Sequence, residues 1–248
     1  MKRSVTDWGG NIAAFGLVIV MNVLANALPI GGQTTGTVSA KYPSLFTPAG
    51  FTFGIWSVIY LGLAAFVIWQ ALPGQRGNRT IAQVSPLFVA NCAANIAWLF
   101  AWHYEQLWLS LLLMVAMLGT LFMIYRVVTS EYPKTPSDLL ILRMPFSIYF
   151  AWITIATIAN LTVVQVAMGW EAAGLSAVNW TLLKLAIAGT IGAVVVARIK
   201  DIAYILVIAW AAYGVASNQA DTPAVAGAAA TLALIAVFLA TNEIARKF

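Results

Sequence analysis

Long apolar runs, broken by short charged or turn-forming pieces, occupy nearly the whole chain. Each run is close to the roughly 20 residues that an α-helix needs to cross about 30 Å of hydrocarbon. Eight such runs lie at about 10–30, 49–72, 84–103, 107–126, 140–168, 177–198, 201–218 and 223–243. No stretch is left over for a soluble domain, so the pattern predicts an all-α integral membrane protein with eight transmembrane helices. The first run follows Lys2 and Arg3, but its length and the lack of a small-x-small cleavage site predict a retained helix rather than a secretory signal. The longest connection, "GGQTTGTVSAKYPSLFTP" (31–48), separates the first two runs and reads as a lid, since loops of that length more often carry function than not.

Composition agrees with the pattern: 62% of residues are hydrophobic, 8% are charged, and the mean hydropathy is +0.88, outside the range of soluble domains. The chain has 13 Lys and Arg against 8 Asp and Glu. In a soluble protein that balance would suggest nucleic acid; here the bilayer is the expected partner and nucleic acid is not. With the N-terminus inside, Lys2, Arg3, Arg76, Arg79, Arg126, Lys134, Arg143, Arg198, Lys200, Arg246 and Lys247, 11 of the 13 cations, fall on the cytoplasmic side. Lys41 alone falls in an outer loop. The positive-inside rule therefore gives an N-in/C-in topology. The acidic Glu131, Asp138, Asp201 and Glu243 lie among these cations and read as a solvated face.

Polar and aromatic residues inside spans should face other helices or a cavity, because lipid offers them no partner. Asn91, Asn95, Trp98 and Trp102 recur at i, i+4, i+7 and i+11, which sets two carboxamides and two indoles on one helix face. Tyr149, Trp152, Ala156, Ala159 and Asn160 form a second stripe after Pro145. Phe53, Trp56 and Tyr60 form a third, and Gly50 and Gly54 in "GFTFG" read as a close-packing motif. Two readings stand side by side. The stripes could line a cavity for a flat, largely apolar molecule, with indoles stacking and amides fixing orientation, or they could be interhelical packing. Trp102, Trp108, Trp170 and Trp180, near span ends, read as interface anchors.

Several single residues invite chemistry. Lys184 lies inside the sixth run, where a cation costs about 2.5–3.5 kcal/mol at the bilayer centre. A Schiff-base lysine of a pigment-bound, light-responsive protein is one reading and snorkelling to the interface another. His103 and Glu105 at the outer end of the third run read as exposed loop residues, with an acid–base pair as the alternative. Cys92 is the single cysteine and His103 the single histidine, which leaves no disulfide framework and no metal cluster. No nucleophile motif or phosphate loop is present, and glycines such as those of "GTIGA" lie within spans as packing surfaces. Ordinary side-chain catalysis is therefore disfavoured, and a transporter of small amphipathic molecules stands as the alternative to a binding protein.

Three stretches then suggest a family. "YPSLFTPAGFTFGIWSVIYLGLAAF", "NCAANIAWLFAWH" and "RMPFSIYFAWITIATIANL" resemble, in order and spacing, the TspO/MBR family (tryptophan-rich sensory protein, translocator protein). The resemblance covers about residues 10–168. It implies a five-helix bundle over 1–170, followed by a three-helix extension over 171–248, as in long bacterial forms, and a homodimer. It further implies a pocket for porphyrins and similar planar ligands, with Trp56, Asn95 and Trp152 at pocket positions and Asn91, Trp98, Tyr149, Phe53, Tyr60 and Pro48 as neighbours. Haem or protoporphyrin would be a ligand and not an obligatory cofactor. Placement as a multi-pass protein of the bacterial inner (plasma) membrane, a part in tetrapyrrole homeostasis or sensing, and light-dependent porphyrin degradation are likewise implied by the resemblance. The end of the fifth run, "NLTVVQVAMGW", lacks the Leu/Val-x-Tyr-x-Lys/Arg arrangement proposed for sterol contact.

Overall fold

The computed structural model describes residues 3–28, 30–130, 135–170 and 174–246; Lys2, Glu131, Lys134 and Lys247 lie outside them. Among the described residues the regular structure is helical: α1 (Val5–Ala27), α2 (Thr35–Ala40), α3 (Ile55–Ala71), α4 (Arg79–His103), α5 (Leu107–Thr129), α6 (Met144–Ala167), α7 (Ala177–Ile199), α8 (Ile202–Asn218) and α9 (Pro223–Ala245). A 3-10 turn over Gly50–Gly54 leads into α3, and a π turn over Asp138–Arg143 leads into α6. Among the described residues seven helices are long and apolar enough to cross a membrane, counting Gly50–Ala71 as one; α8, with 17 residues, is apolar but shorter. The protein is an all-α, multi-pass membrane protein.

Helix starts follow local capping. The side chains of Ser4, Asn78, Ser176 and Asp201 accept the backbone N–H three residues on, satisfying donors that the first turn leaves without partners. Lys200 takes a left-handed conformation (φ 59°, ψ 35°) at the end of α7. This lets α8 begin within two residues.

The chain forms two compact units. One comprises residues 1–41 and 57–150, the other 42–56 and 151–248. In the first, α4 packs against both α1 and α5. Its core holds Phe66, Phe88 and Phe146, whose ring centroids lie 4.9–5.9 Å apart. At the start of α1 the buried Arg3 guanidinium donates to the Asp7 carboxylate (2.9 and 3.0 Å), to the Gln70 carbonyl (2.9 Å) and to Ser85 Oγ (3.0 Å). Asn11 donates to the same Ser85 at 2.9 Å. The charged N-terminus is thus tied to α3 and α4 instead of trailing from the first span.

In the second unit α7, α8 and α9 pack against one another. Gly189 and Gly192 allow the approach, as the sequence suggests: a Cβ on Gly189 would lie 2.7 Å from Leu232, and one on Gly192 would lie 2.7 Å from Ile205. The Thr154 and Tyr204 hydroxyls share a hydrogen bond of 2.9 Å between α6 and α8. Asp201 and Glu243 are buried, contrary to the solvated face expected for them. Asp201 caps α8, and Glu243 pairs with Lys200 (3.4 Å) and Arg246 (3.7 Å).

Gly50 and Gly54 also depart from expectation. A Cβ on either would meet nothing within 4 Å, so "GFTFG" is not a close-packing motif. Tight approaches lie at Gly62, where a Cβ would come 3.0 Å from Pro145 Cβ, and at Gly214, where it would come 3.0 Å from Pro48 Cβ.

Candidate functional site

In the second unit the segment entering α3 is held by α8. Gln219 and Asn218 donate side-chain N–H groups to the carbonyls of Ser44 (3.4 Å) and Thr47 (3.0 Å). The Ala49 N–H donates to the Gly214 carbonyl (2.9 Å), and the Trp210 indole donates to the Thr52 carbonyl (2.9 Å). Trp210, Gly214 and Asn218 recur every four residues, so one face of α8 forms the seat. Phe51 packs edge-on against Trp210 at 5.5 Å. Pro48 is buried in this segment.

The seated segment delivers Phe53 and Trp56 to Trp152 of α6. The Phe53 ring lies 5.9 Å from the Trp152 ring at 89°, and the Trp56 ring lies 6.4 Å away at 85°. Both meet it edge to face, a favoured aromatic geometry. Trp152 is 2% exposed and its indole N–H has no hydrogen-bond partner among the described residues, whereas Phe53 is 43% exposed. Three residues from two stripes of the sequence therefore share one corner.

In the first unit Asn95 accepts from Asn22 Nδ2 (3.0 Å) and turns its own Nδ2 toward the Tyr149 hydroxyl (3.5 Å). Asn22 was not among the residues singled out in the sequence, although an asparagine within an apolar span is itself a signal. Asn91 serves interhelical packing: its Nδ2 donates to the Met117 carbonyl (3.1 Å) and to Thr120 Oγ1 (2.9 Å) on α5. Trp98 stacks on Trp102 at 5.7 Å and 20°. Tyr60 is half-buried.

Trp102 is not an interface anchor, since it is buried and its indole donates to the Thr35 carbonyl at 3.1 Å. Nor is His103 an exposed loop residue. It is 0% exposed, donating from Nδ1 to the Leu99 carbonyl (2.6 Å) with Nε2 3.3 Å from Thr35 Oγ1. The reason is α2, a helix inside the segment that the sequence predicts as a lid. Thr34 and Thr37 form a reciprocal capping box that starts this helix. Gln33 then donates to the His103 carbonyl (2.7 Å), and Lys41 pairs with Glu105 (2.6 Å). Gly31, at φ +61°, passes so close to the His103 carbonyl that a Cβ would lie 3.2 Å from it.

Lys184 is buried, donates to Gln165 Oε1, and lies 5.9 Å from the centre of the Trp180 ring. Trp108 and Trp170 are exposed, as befits span ends. Among the described residues no three His, Cys, Asp or Glu side chains gather as a metal site would require.

Comparison with curated proteins and with solved structures returns no match. The family model described as TSPO-like protein matches residues 8–241, which extends past the stretches carrying the resemblance and takes in α7, α8 and most of α9. With nearly the whole length matched, the chain belongs to the TspO-like family.

Proposed function

We propose that the protein binds planar, largely apolar ligands of the tetrapyrrole class within the membrane, for sensing, sequestration or homeostasis. The observation that carries this reading is the corner of Phe53, Trp56 and Trp152. Phe53 and Trp56 both stand nearly perpendicular to Trp152, and Phe53 keeps much of its ring uncovered. A flat ligand stacked on such a ring gains about 0.5–1.5 kcal/mol per aromatic pair beyond simple burial. The Trp152 N–H, buried without an acceptor, supplies a directional bond that apolar packing lacks. Pro48, packed close to Gly214 of α8, is proposed as a support for the segment that carries Phe53 and Trp56.

Titrating purified protein with protoporphyrin is expected to quench tryptophan fluorescence saturably, and a Trp56→Ala, Trp152→Ala double variant is expected to lose most of the affinity. Unchanged affinity in that variant would remove the assignment.

We also propose eight spans with both termini in the cytoplasm of a bacterial inner membrane, α8 being the eighth. At about 1.5 Å per residue, its 17 residues reach the short end of the membrane-spanning range. Topology reporters fused at the two ends should report the same side; opposite sides would exclude an even number of spans.

A further inference from the structure

We infer that Arg76 and Arg79, with the Trp8 indole holding one face of the Arg76 guanidinium, bind the phosphate of an anionic membrane phospholipid. The inference needs only that the chain spans a bilayer and is independent of the planar-ligand reading.

The argument starts from which cations already have a counter-charge. Lys41 pairs with Glu105, and Lys200 and Arg246 share Glu243. Where α1 begins, the carboxylate of Asp7 is engaged at both oxygens by the buried Arg3. Arg76 and Arg79 lie beside that satisfied pair, on the turn joining α3 to α4. The Arg3 N–H donates to the Arg76 carbonyl at 2.6 Å, which ties this turn to the start of α1 within one compact unit. Both arginines are exposed, and neither has an ion pair or a side-chain hydrogen bond among the described residues. Two positive charges, three residues apart, therefore face outward with no carboxylate against them.

The Arg76 guanidinium lies 5.9 Å from the centre of the Trp8 ring, within the reach of a cation–π contact. Such a contact holds the planar group by its face and leaves its N–H edge for paired bonds to phosphate oxygens. The surroundings are those of a lipid and not of a free anion. Val5, Trp8 and Ile12 recur at i, i+3 and i+7 on one face of α1, and Val5 and Ile12 are exposed, as is Leu72 before the turn. A phosphate in solution makes no use of that apolar face, whereas an acyl chain attached to the phosphate lies along it. Because α1 and α4 are spans that begin here and α3 is one that ends here, the arginines stand at headgroup level.

The test counts dioleoyl phosphatidylglycerol and dioleoyl phosphatidylcholine retained by the purified full chain in native mass spectrometry. At about fivefold per surface cation, the wild type is expected to prefer phosphatidylglycerol by about twentyfold. Arg79→Gln should lower that preference about fivefold, and Arg76→Gln with Arg79→Gln should bring it within about threefold, phosphatidylcholine binding being unchanged. Trp8→Leu keeps both cations and should lower it about threefold. Arg198→Gln removes an exposed cation of the other compact unit and should leave the preference intact. Arg79→Gln breaks no described side-chain bond, so it decides the matter even where the double variant folds poorly. Equal binding of the two lipids by the wild type, or a loss in Arg198→Gln as large as that in Arg79→Gln, overturns the inference. Displacement of phosphatidylglycerol by excess inorganic phosphate overturns it too, by assigning the arginines to a free anion.

Discussion

The indole N–H of Trp210 meets the carbonyl of Thr52 at 2.9 Å, joining positions 158 residues apart. One turn along α8, Gly214 accepts from the Ala49 N–H. A side chain at Gly214 would have no room, since its Cβ would approach Thr52 Cγ2 to 2.9 Å and Pro48 Cβ to 3.0 Å. Gly214→Val is therefore expected to destabilise the protein by about 1–3 kcal/mol, as overpacking does. Thermal unfolding in detergent, with Gly50→Ala as the control that meets nothing within 4 Å, checks this.

Lys184 and Gln165 make an unequal pair. Removing the lysine abolishes a buried charge, whereas removing the glutamine leaves that charge with the Trp180 face as its described contact. Lys184→Met is thus expected to be neutral or stabilising, and Gln165→Leu destabilising by about 1–3 kcal/mol. Comparing the two unfolding midpoints settles the order. Equal losses would show that the lysine contributes through its charge.

Arg3 holds the start of α1 through bonds to three side chains and one carbonyl. Arg3→Ala strands the Asp7 carboxylate and loosens Ser85 and Gln70, at an expected cost of about 3 kcal/mol. Arg3→Lys should recover little, because a single ammonium cannot reproduce the planar fork. Proteolysis near the N-terminus, faster in both variants than in the wild type, reports the loosening.

Trp152→Phe separates packing from hydrogen bonding at the aromatic corner. The smaller ring leaves a void, but the substitution also removes a buried donor that lacks a partner. These effects oppose each other, so stability without ligand is expected to change by no more than about 1 kcal/mol. Affinity for a ligand that accepts the indole bond should fall about tenfold, read by fluorescence titration.

The apolar runs made the helices legible, and each of the eight runs corresponds to a helix of 17 or more residues. Helix starts were less legible. The sequence places the third run at 84, but α4 begins at Arg79, because Asn78 caps a first turn whose polar residues carry little hydrophobic signal. Likewise α1 begins at Val5 and not near 10, since Ser4 caps it and Arg3 buries what looked like a charged tail. Stripe periodicity picks out Asn95 and Trp152, which are buried, and Trp56, which is half-buried, yet it does not separate Asn91, bound to α5, from Asn95. That separation depends on what the neighbouring helix offers, which spacing along one helix does not encode. The seat on α8 was hidden for a similar reason. Its glycine, tryptophan and asparagine look like ordinary span residues until a segment more than 150 residues earlier arrives beside them.

The four described hydrogen bonds that α8 and its C-cap Gln219 make with that segment all use main-chain atoms of the segment: the carbonyls of Ser44, Thr47 and Thr52 and the N–H of Ala49. Apart from Phe51, which packs on Trp210, and the crowding at Pro48 and Thr52, side-chain identity between residues 44 and 52 therefore matters less to these four bonds than the path of the main chain. Length is not free. Inserting or deleting one residue there would move every later carbonyl off its donor and turn Phe53 and Trp56 away from Trp152, so the segment works as a ruler whose length sets where its aromatic end arrives.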